Sequence, residues 1–149
     1  MLISGFLFGI AYLSLQLFQK RYRDFMASTE RLLEISQAEY LLYRDFSSAT
    51  SIEADGNTVL FRNDSTRTDY VFTEAYLLRR QLSLVDTFHW DCQERRTFWL
   101  GKPTSDKRGP MDELSFRCQV QGEVFDFHFQ KQYDAQQRMR TERQPGNRD

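Results

Sequence analysis

The chain has 149 residues and a mass of 17.8 kDa, the size of one domain with one core, which excludes a two-lobed enzyme with separate cofactor and substrate domains. Twenty Lys and Arg against 21 Asp and Glu leave a net charge of -1 and a pI near 6.1, so no general basic field exists to hold a nucleic-acid backbone. Aromatic residues make up 15% of the chain and cysteines only two positions, which suits an aromatic sheet and rules out a disulfide-framed miniature or a four-thiolate zinc site.

Residues 1–18, MLISGFLFGIAYLSLQLF, carry no charge. As a helix they cover about 27 Å, the lower limit for crossing a hydrocarbon core of about 30 Å, and they are expected to form a transmembrane helix. No basic segment precedes the apolar run and no small-residue cleavage site follows it, so it is not a secretory signal peptide. A buried core helix is the weaker alternative, because core helices rarely run so far without a charge. Lys20, Arg21 and Arg23 follow at once, and by themselves they would hold the rest of the chain on the cytoplasmic side.

Residues 19–46 contain no Gly or Pro and are rich in helix formers, which predicts an amphipathic continuation of the same helix. Phe25, Leu32, Leu33, Tyr40 and Tyr43 are expected to form one apolar stripe, opposite Asp24, Glu30, Arg31 and Glu34. Sustained heptads of a coiled coil are absent. The expected whole is one uninterrupted helix of roughly 45 residues. Lipid or neighbouring copies would cover its first half, and its second half would lay the stripe on a globular head.

Residues 47–131 are expected to form that head, a small antiparallel β-sheet, which makes the fold class α+β. Ser47, Ser48, Thr50 and Ser51 end the helix, and Asp55-Gly56-Asn57 is the strongest hairpin signal, between strands at 50–54 and 58–62. Further strands are expected at 67–73, from Tyr76 through Arg80, and across 84–89, with a loop from Gly101 to Pro110. In 113–120, Leu114, Phe116, Cys118 and Val120 share one face. In 123–129, Phe125, Phe127 and Phe129 do, with Gln121-Gly122 as the turn between. Residues 132–149 lose all periodicity and are expected to be a polar, disordered tail.

His89, Cys92, Cys118 and His128 are the only metal-ligating imidazoles and thiols, but alternation puts Cys118 and His128 on opposite faces of one hairpin, against a zinc site. A Cys92–Cys118 disulfide and a plain apolar role for Cys118 both remain open. No nucleophile elbow, phosphate loop, HExxH or dinucleotide fingerprint occurs, so no catalytic residue, cofactor or small-molecule substrate is expected. Arg79-Arg80 and Arg95-Arg96 read as solubilising pairs on exposed sheet faces rather than as an anion site.

The order of parts resembles the type IV pilin-like proteins, especially the minor pseudopilins of type II secretion and related pilus systems. MLISGFLFGIAYLSLQLFQKRY is similar to the middle of their N-terminal helix. Residues 43–52 with Gly56-Asn57-Thr58-Val59-Leu60-Phe61 are similar to the helix exit and first hairpin of J-type and W-type minor members. The likeness is good over roughly the first 75 residues. The family's basic leader, its Phe-Thr-Leu cleavage junction and the glutamate after it are not in the sequence, so the chain is expected to start at an internal Met with those parts missing. A basic leader would also offset Lys20, Arg21 and Arg23 in setting orientation.

The resemblance implies a non-enzymatic subunit in the bacterial inner membrane, single-pass, with its head in the periplasm. Its partners would be other pilin-like subunits and inner-membrane assembly proteins, and its place the tip or the initiation of a short filament. Gly5 and Gly9 form a G-x-x-x-G pair with Ala11 nearby. Gly5, Gly9, Phe18, Phe25 and Leu33 are the expected assembly residues, with Phe25, Leu32 and Tyr40 clamping the head. The alternative is a membrane-tethered binding module whose aromatic sheet takes a hydrophobic ligand or a partner strand.

Overall fold

A computed structural model of the chain describes residues 2–104 and 107–133, apart from the side chains of residues 2–4 and 6. The chain divides into two compact units, Met1–Gln37 and Ala38–Asp149, and one helix, α1 (Leu2–Ser48), runs through the division. It is unbroken between Phe18 and Phe25, as the absence of Gly and Pro there requires. Its last turn contains no basic residue. Ser47 ends it by turning its hydroxyl back to the Tyr43 carbonyl at 2.8 Å, and Thr50 then donates its N–H to the Arg62 carbonyl at 2.7 Å.

Among the described residues no helix is long and apolar enough to cross a membrane, so the expected transmembrane half is not supported. The described side chains begin too late to leave an apolar window of that length. Eighteen residues counted from Leu7 already include Lys20, Arg21, Arg23 and Asp24, and Gly9, Tyr12, Ser14 and Gln16 dilute what precedes them. Residues 1–4 and the Phe6 side chain, which belong to the expected span, lie outside the described residues.

The described residues of the second unit hold ten strands: β1 (Ser51–Asp55), β2 (Thr58–Arg62), β3 (Arg67–Phe72), β4 (Leu77–Gln81), β5 (Leu84–Phe88), β6 (Asp91–Trp99), β7 (Lys102–Pro103), β8 (Gly109–Pro110), β9 (Glu113–Val120) and β10 (Glu123–Gln130). They form two antiparallel sheets, not the single sheet expected, in the orders β5-β4-β3-β2-β1-β8 and β10-β9-β6-β7. The expected β1–β2 hairpin is present in the register Asp55↔Thr58, with Gly56 at φ +55. The β9–β10 hairpin closes with Gln121 and Gly122 both at positive φ and pairs Val120 with Glu123. The long β6 and the pieces β7 and β8 lay hidden in a stretch that shows little alternation. The segment expected to be a loop is what returns the chain to the first sheet, where β8 pairs with β1 at Ala54↔Gly109.

Aromatic rings fill the space between the sheets. Phe72 of β3 meets Phe116 of β9 edge-on at 5.1 Å, and Phe116 stacks on Phe127, which stacks on Trp90 at 5.4 Å. The alternation expected for β9 holds, with Leu114, Phe116, Cys118 and Val120 all buried. Tyr133, inside the expected polar tail, is buried, packs edge-on against Trp99 at 5.7 Å and donates its hydroxyl to the Met111 carbonyl at 3.2 Å. Residues 134–149 of that tail lie outside the described residues.

The end of α1 is buried along Ala38, Leu42 and Phe46, as is Ala49 just past it, whereas Tyr40 and Tyr43 of the expected stripe are 63% and 65% exposed. At roughly 100° per residue Ala38, Leu42 and Phe46 share one side of the helix, and the two tyrosines lie a quarter-turn or more from its middle. Small side chains at Ala38 and Ala49 allow the close approach that large rings would block. Leu42→Ala is therefore expected to lower unfolding free energy by about 2–5 kcal/mol, and Tyr40→Ala to change it by under about 0.5 kcal/mol, as read by urea denaturation.

Candidate functional site

In the first unit the feature to explain is an apolar helix surface left open. Phe18, Phe25 and Leu33 are exposed by 69%, 66% and 64%, and Leu7, Leu13, Leu17 and Leu32 are exposed as well. An added Cβ at Gly5 or Gly9 would meet nothing within 4 Å, so both glycines stand clear on the helix surface. All five expected assembly residues are thus exposed. Phe25 and Leu32, expected to clamp the head, are exposed instead. The local helix is held by its own backbone and by short back-bonds, such as Thr29 Oγ1 donating to the Phe25 carbonyl at 2.9 Å.

In the second unit the helix end is fixed by one aromatic ring and one charged network. Phe46 lies edge-on to Phe61 of β2 at 5.1 Å and stacks on Phe129 of β10 at 5.5 Å, so a single side chain touches both sheets. Beside it Asp45, almost fully buried, accepts from Tyr70 Oη at 2.7 Å and from Arg79 Nε at 2.9 Å. Arg79, also buried, spends its remaining donors on Asp86 Oδ2 at 3.2 Å and Gln81 Oε1 at 2.9 Å. Both charges are neutralised and hydrogen-bonded, the condition under which a buried ion pair is tolerated. Burial, reinforced by the Asp45 carboxylate, pushes the Tyr70 phenol well above its ordinary range.

A third contact closes the helix terminus. Lys131 Nζ, just past β10, donates to the carbonyls of Phe46 at 3.0 Å and Ser47 at 3.2 Å, and to that of Ala49. It supplies the positive charge that the last turn of α1 lacks. Burial lowers the affinity of this ammonium for its proton.

Sequence reasoning missed this network, and it read Arg79 as an exposed solubiliser. A signal was present: Arg79 follows Leu77 by two residues, on the same strand face, and Leu77 is buried. Asp45 likewise sits three residues after Leu42, within the buried side of the helix. Arg80 is exposed, as expected of it. Arg95 bridges the sheets, with its guanidinium 5.5 Å from the Phe72 ring centre and a bond to the Gly56 carbonyl.

The thiols and imidazoles are dispersed by role. Cys92 and Cys118 are directly opposite each other on β6 and β9, with Sγ atoms 2.6 Å apart. His128 is exposed and 3.0 Å from Glu113. Among the described residues no group of three or more His, Cys, Asp and Glu side chains is placed to hold a metal ion. The outer face of the second sheet carries exposed pairs, Arg117 with Asp126 at 2.8 Å and with Glu94 at 3.2 Å, each worth little in water.

No protein-family model, curated protein or solved structure matches the chain.

Arg79→Met, which leaves the Asp45 carboxylate buried and uncompensated, is expected to cost about 3–5 kcal/mol in denaturant unfolding. The combined change Asp45→Leu, Tyr70→Phe and Arg79→Met should recover part of that loss, since no charge is then stranded. Alkaline pH supplies a second measurement. Burial raises Tyr133 from 10.0 to about 12 and Tyr70 in the same direction, so the folded chain keeps protons that the unfolded chain releases. The Tyr133 contribution is complete below pH 10 and is lost as pH rises from 10 towards 12. Tyr133→Phe should make that loss shallower in a pH series of unfolding midpoints.

Proposed function

We propose that the chain is a pilin-like subunit, a minor pseudopilin, of a bacterial secretion or pilus assembly, acting by packing its helix among those of sister subunits and presenting the β head outside the bundle. The observation that carries this is the open apolar surface of α1 from Leu7 to Leu33, with the Gly5 and Gly9 notch on it. Water is a poor solvent for such a surface, and helices that meet at small residues can cover it. Support also comes from the opposite end. In the second unit, Phe46, Asp45 and Lys131 fix the terminus of α1 to both sheets.

On this reading the subunit works at the bacterial inner membrane with its head in the periplasm, and its partners are other pilin-like subunits and inner-membrane assembly proteins. The proposal rests on helix-to-helix burial and does not require a complete lipid span within the described residues. No enzymatic step is assigned to it.

The second reading, a membrane-tethered binding module, is favoured by one observation. The β4–β5 hairpin tip presents Leu82, 86% exposed and at φ +55, beside exposed Leu84 and Val85. A photo-crosslinking residue placed at Phe18, Phe25 or Leu33 of the full chain in its native cells separates the two. A pseudopilin should crosslink to the helix of another pilin-like subunit, and Gly5→Leu or Gly9→Leu should reduce the yield by about tenfold, a loss of close helix packing. Val85→Asp should leave it unchanged. Crosslinks that ignore the glycine changes, together with loss of function on Val85→Asp, would favour the binding module.

A further inference from the structure

We propose that Cys92 and Cys118 form an ordered dithiol site, in which Cys92 exchanges first with an external disulfide and Cys118 then displaces it to close a cross-strand bond. The inference is independent of the pilin-like reading, because it concerns only the geometry of the second sheet.

The register brings the two residues together. Cys92 of β6 is the Cα partner of Cys118 of β9, and their sulfurs are in direct contact. Residues paired in this way on antiparallel strands project to the same face, so no backbone movement is needed to join them. Topology makes the two thiols unequal. Cys118 is in the middle of the sheet, with Cys92 on one side and Phe125 of β10 on the other, and it is fully buried. Cys92 is on the outer side of the pairing. Beyond it β7 pairs only with Phe98 and Trp99, so among the described residues no strand covers Asp91–Gln93 on the side away from β9. Cys92 is accordingly only half-buried.

Access selects the first step. The Cys92 thiolate attacks one sulfur of a small disulfide, the donor's S–S bond breaks, and one donor thiolate leaves and takes a proton from water. Cys118 cannot compete, being shielded from any external disulfide. Its thiol is also held well above the usual range, first by the hydrogen bond with the Cys92 sulfur and then by burial. Once Cys92 carries the donor group, the first of these causes is gone. Cys118 loses its proton and attacks Cys92 Sγ, and the second donor thiolate leaves. Two protein thiols have then given up two electrons and two protons, and the donor disulfide has become two thiols.

The bond would fall where the sheet most needs it. The β6–β9 register shifts between Gln93 and Arg96, so the Cys92–Cys118 pair adjoins the interruption.

The test uses the purified, reduced full chain in mild detergent with oxidised glutathione as the donor, acid quenching at intervals and intact-mass and peptide analysis. The wild type should end two hydrogens lighter, with no retained glutathione and no thiol open to maleimide, and its earliest adduct should map to the Cys92 peptide. Cys118→Ser, or Cys118→Ala if the serine variant loses its circular-dichroism signal, should accumulate one glutathione on Cys92. Cys92→Ser should acquire it at least about tenfold more slowly until urea is added, as expected when burial governs reactivity. A first adduct on Cys118, retention of glutathione by the wild type, or equal rates for the two variants would overturn the proposal.

Discussion

The structure of the second unit turns on a carboxylate that has no business in an apolar stripe. Asp45 is on the buried side of α1 between Leu42 and Ala49, and desolvating it alone would cost several kcal/mol. Arg79 and Tyr70 make the position tolerable by converging on it from β4 and β3. That requirement is directional where the aromatic packing around it is not. Hydrogen bonds to a buried carboxylate depend on distance and angle more steeply than ring contacts do, so the pair constrains how the helix end sits on the strands.

How much was legible in the sequence follows from the range of the signals. The hairpins β1–β2 and β9–β10 were readable because their turns, Gly56-Asn57 and Gln121-Gly122, and their alternation are local. The continuity of α1 was readable for the same reason. What failed were the inferences about which side chains of the helix and strands face a distant partner. Large aromatics at 40 and 43 looked like core, yet the helix approaches the sheets through Ala38 and Ala49, and small residues give no hydrophobic signal of comparable strength. Arg79 looked like surface because charge is nearly always solvated, and its partner is 34 positions away. The split into two sheets was hidden by β6, whose bulge between Gln93 and Arg96 breaks the alternation that would have announced a long strand. Gly5, Gly9, Phe18, Phe25 and Leu33, which the pilin-like resemblance implies as assembly residues, are exposed.

The helix terminus and the thiol pair illustrate one further point about position in a sheet. Lys131 and Cys118 both belong to the second sheet or its immediate exit, and each meets its partner only because the strand order is β10-β9-β6-β7. With β10 at one edge, its exit can reach the carbonyls of Phe46 and Ser47. With β9 between β10 and β6, Cys118 is closed in while Cys92 stays near solvent. A different order of the same strands would keep every local pattern in the sequence and lose both contacts.

The open surface of the first unit is best weighed by magnitude. Burying a Leu, Phe or Met side chain completely is worth about 1.5–3 kcal/mol. Covering five of those exposed between Leu7 and Leu33 would thus supply about 8–15 kcal/mol, comparable to the roughly 4–15 kcal/mol that association costs in lost translational and rotational freedom. Glycines at 5 and 9 add to this by permitting backbones to approach closely, which converts weak dispersion into many simultaneous contacts. On the pilin-like proposal, that cover would come from the helices of sister subunits.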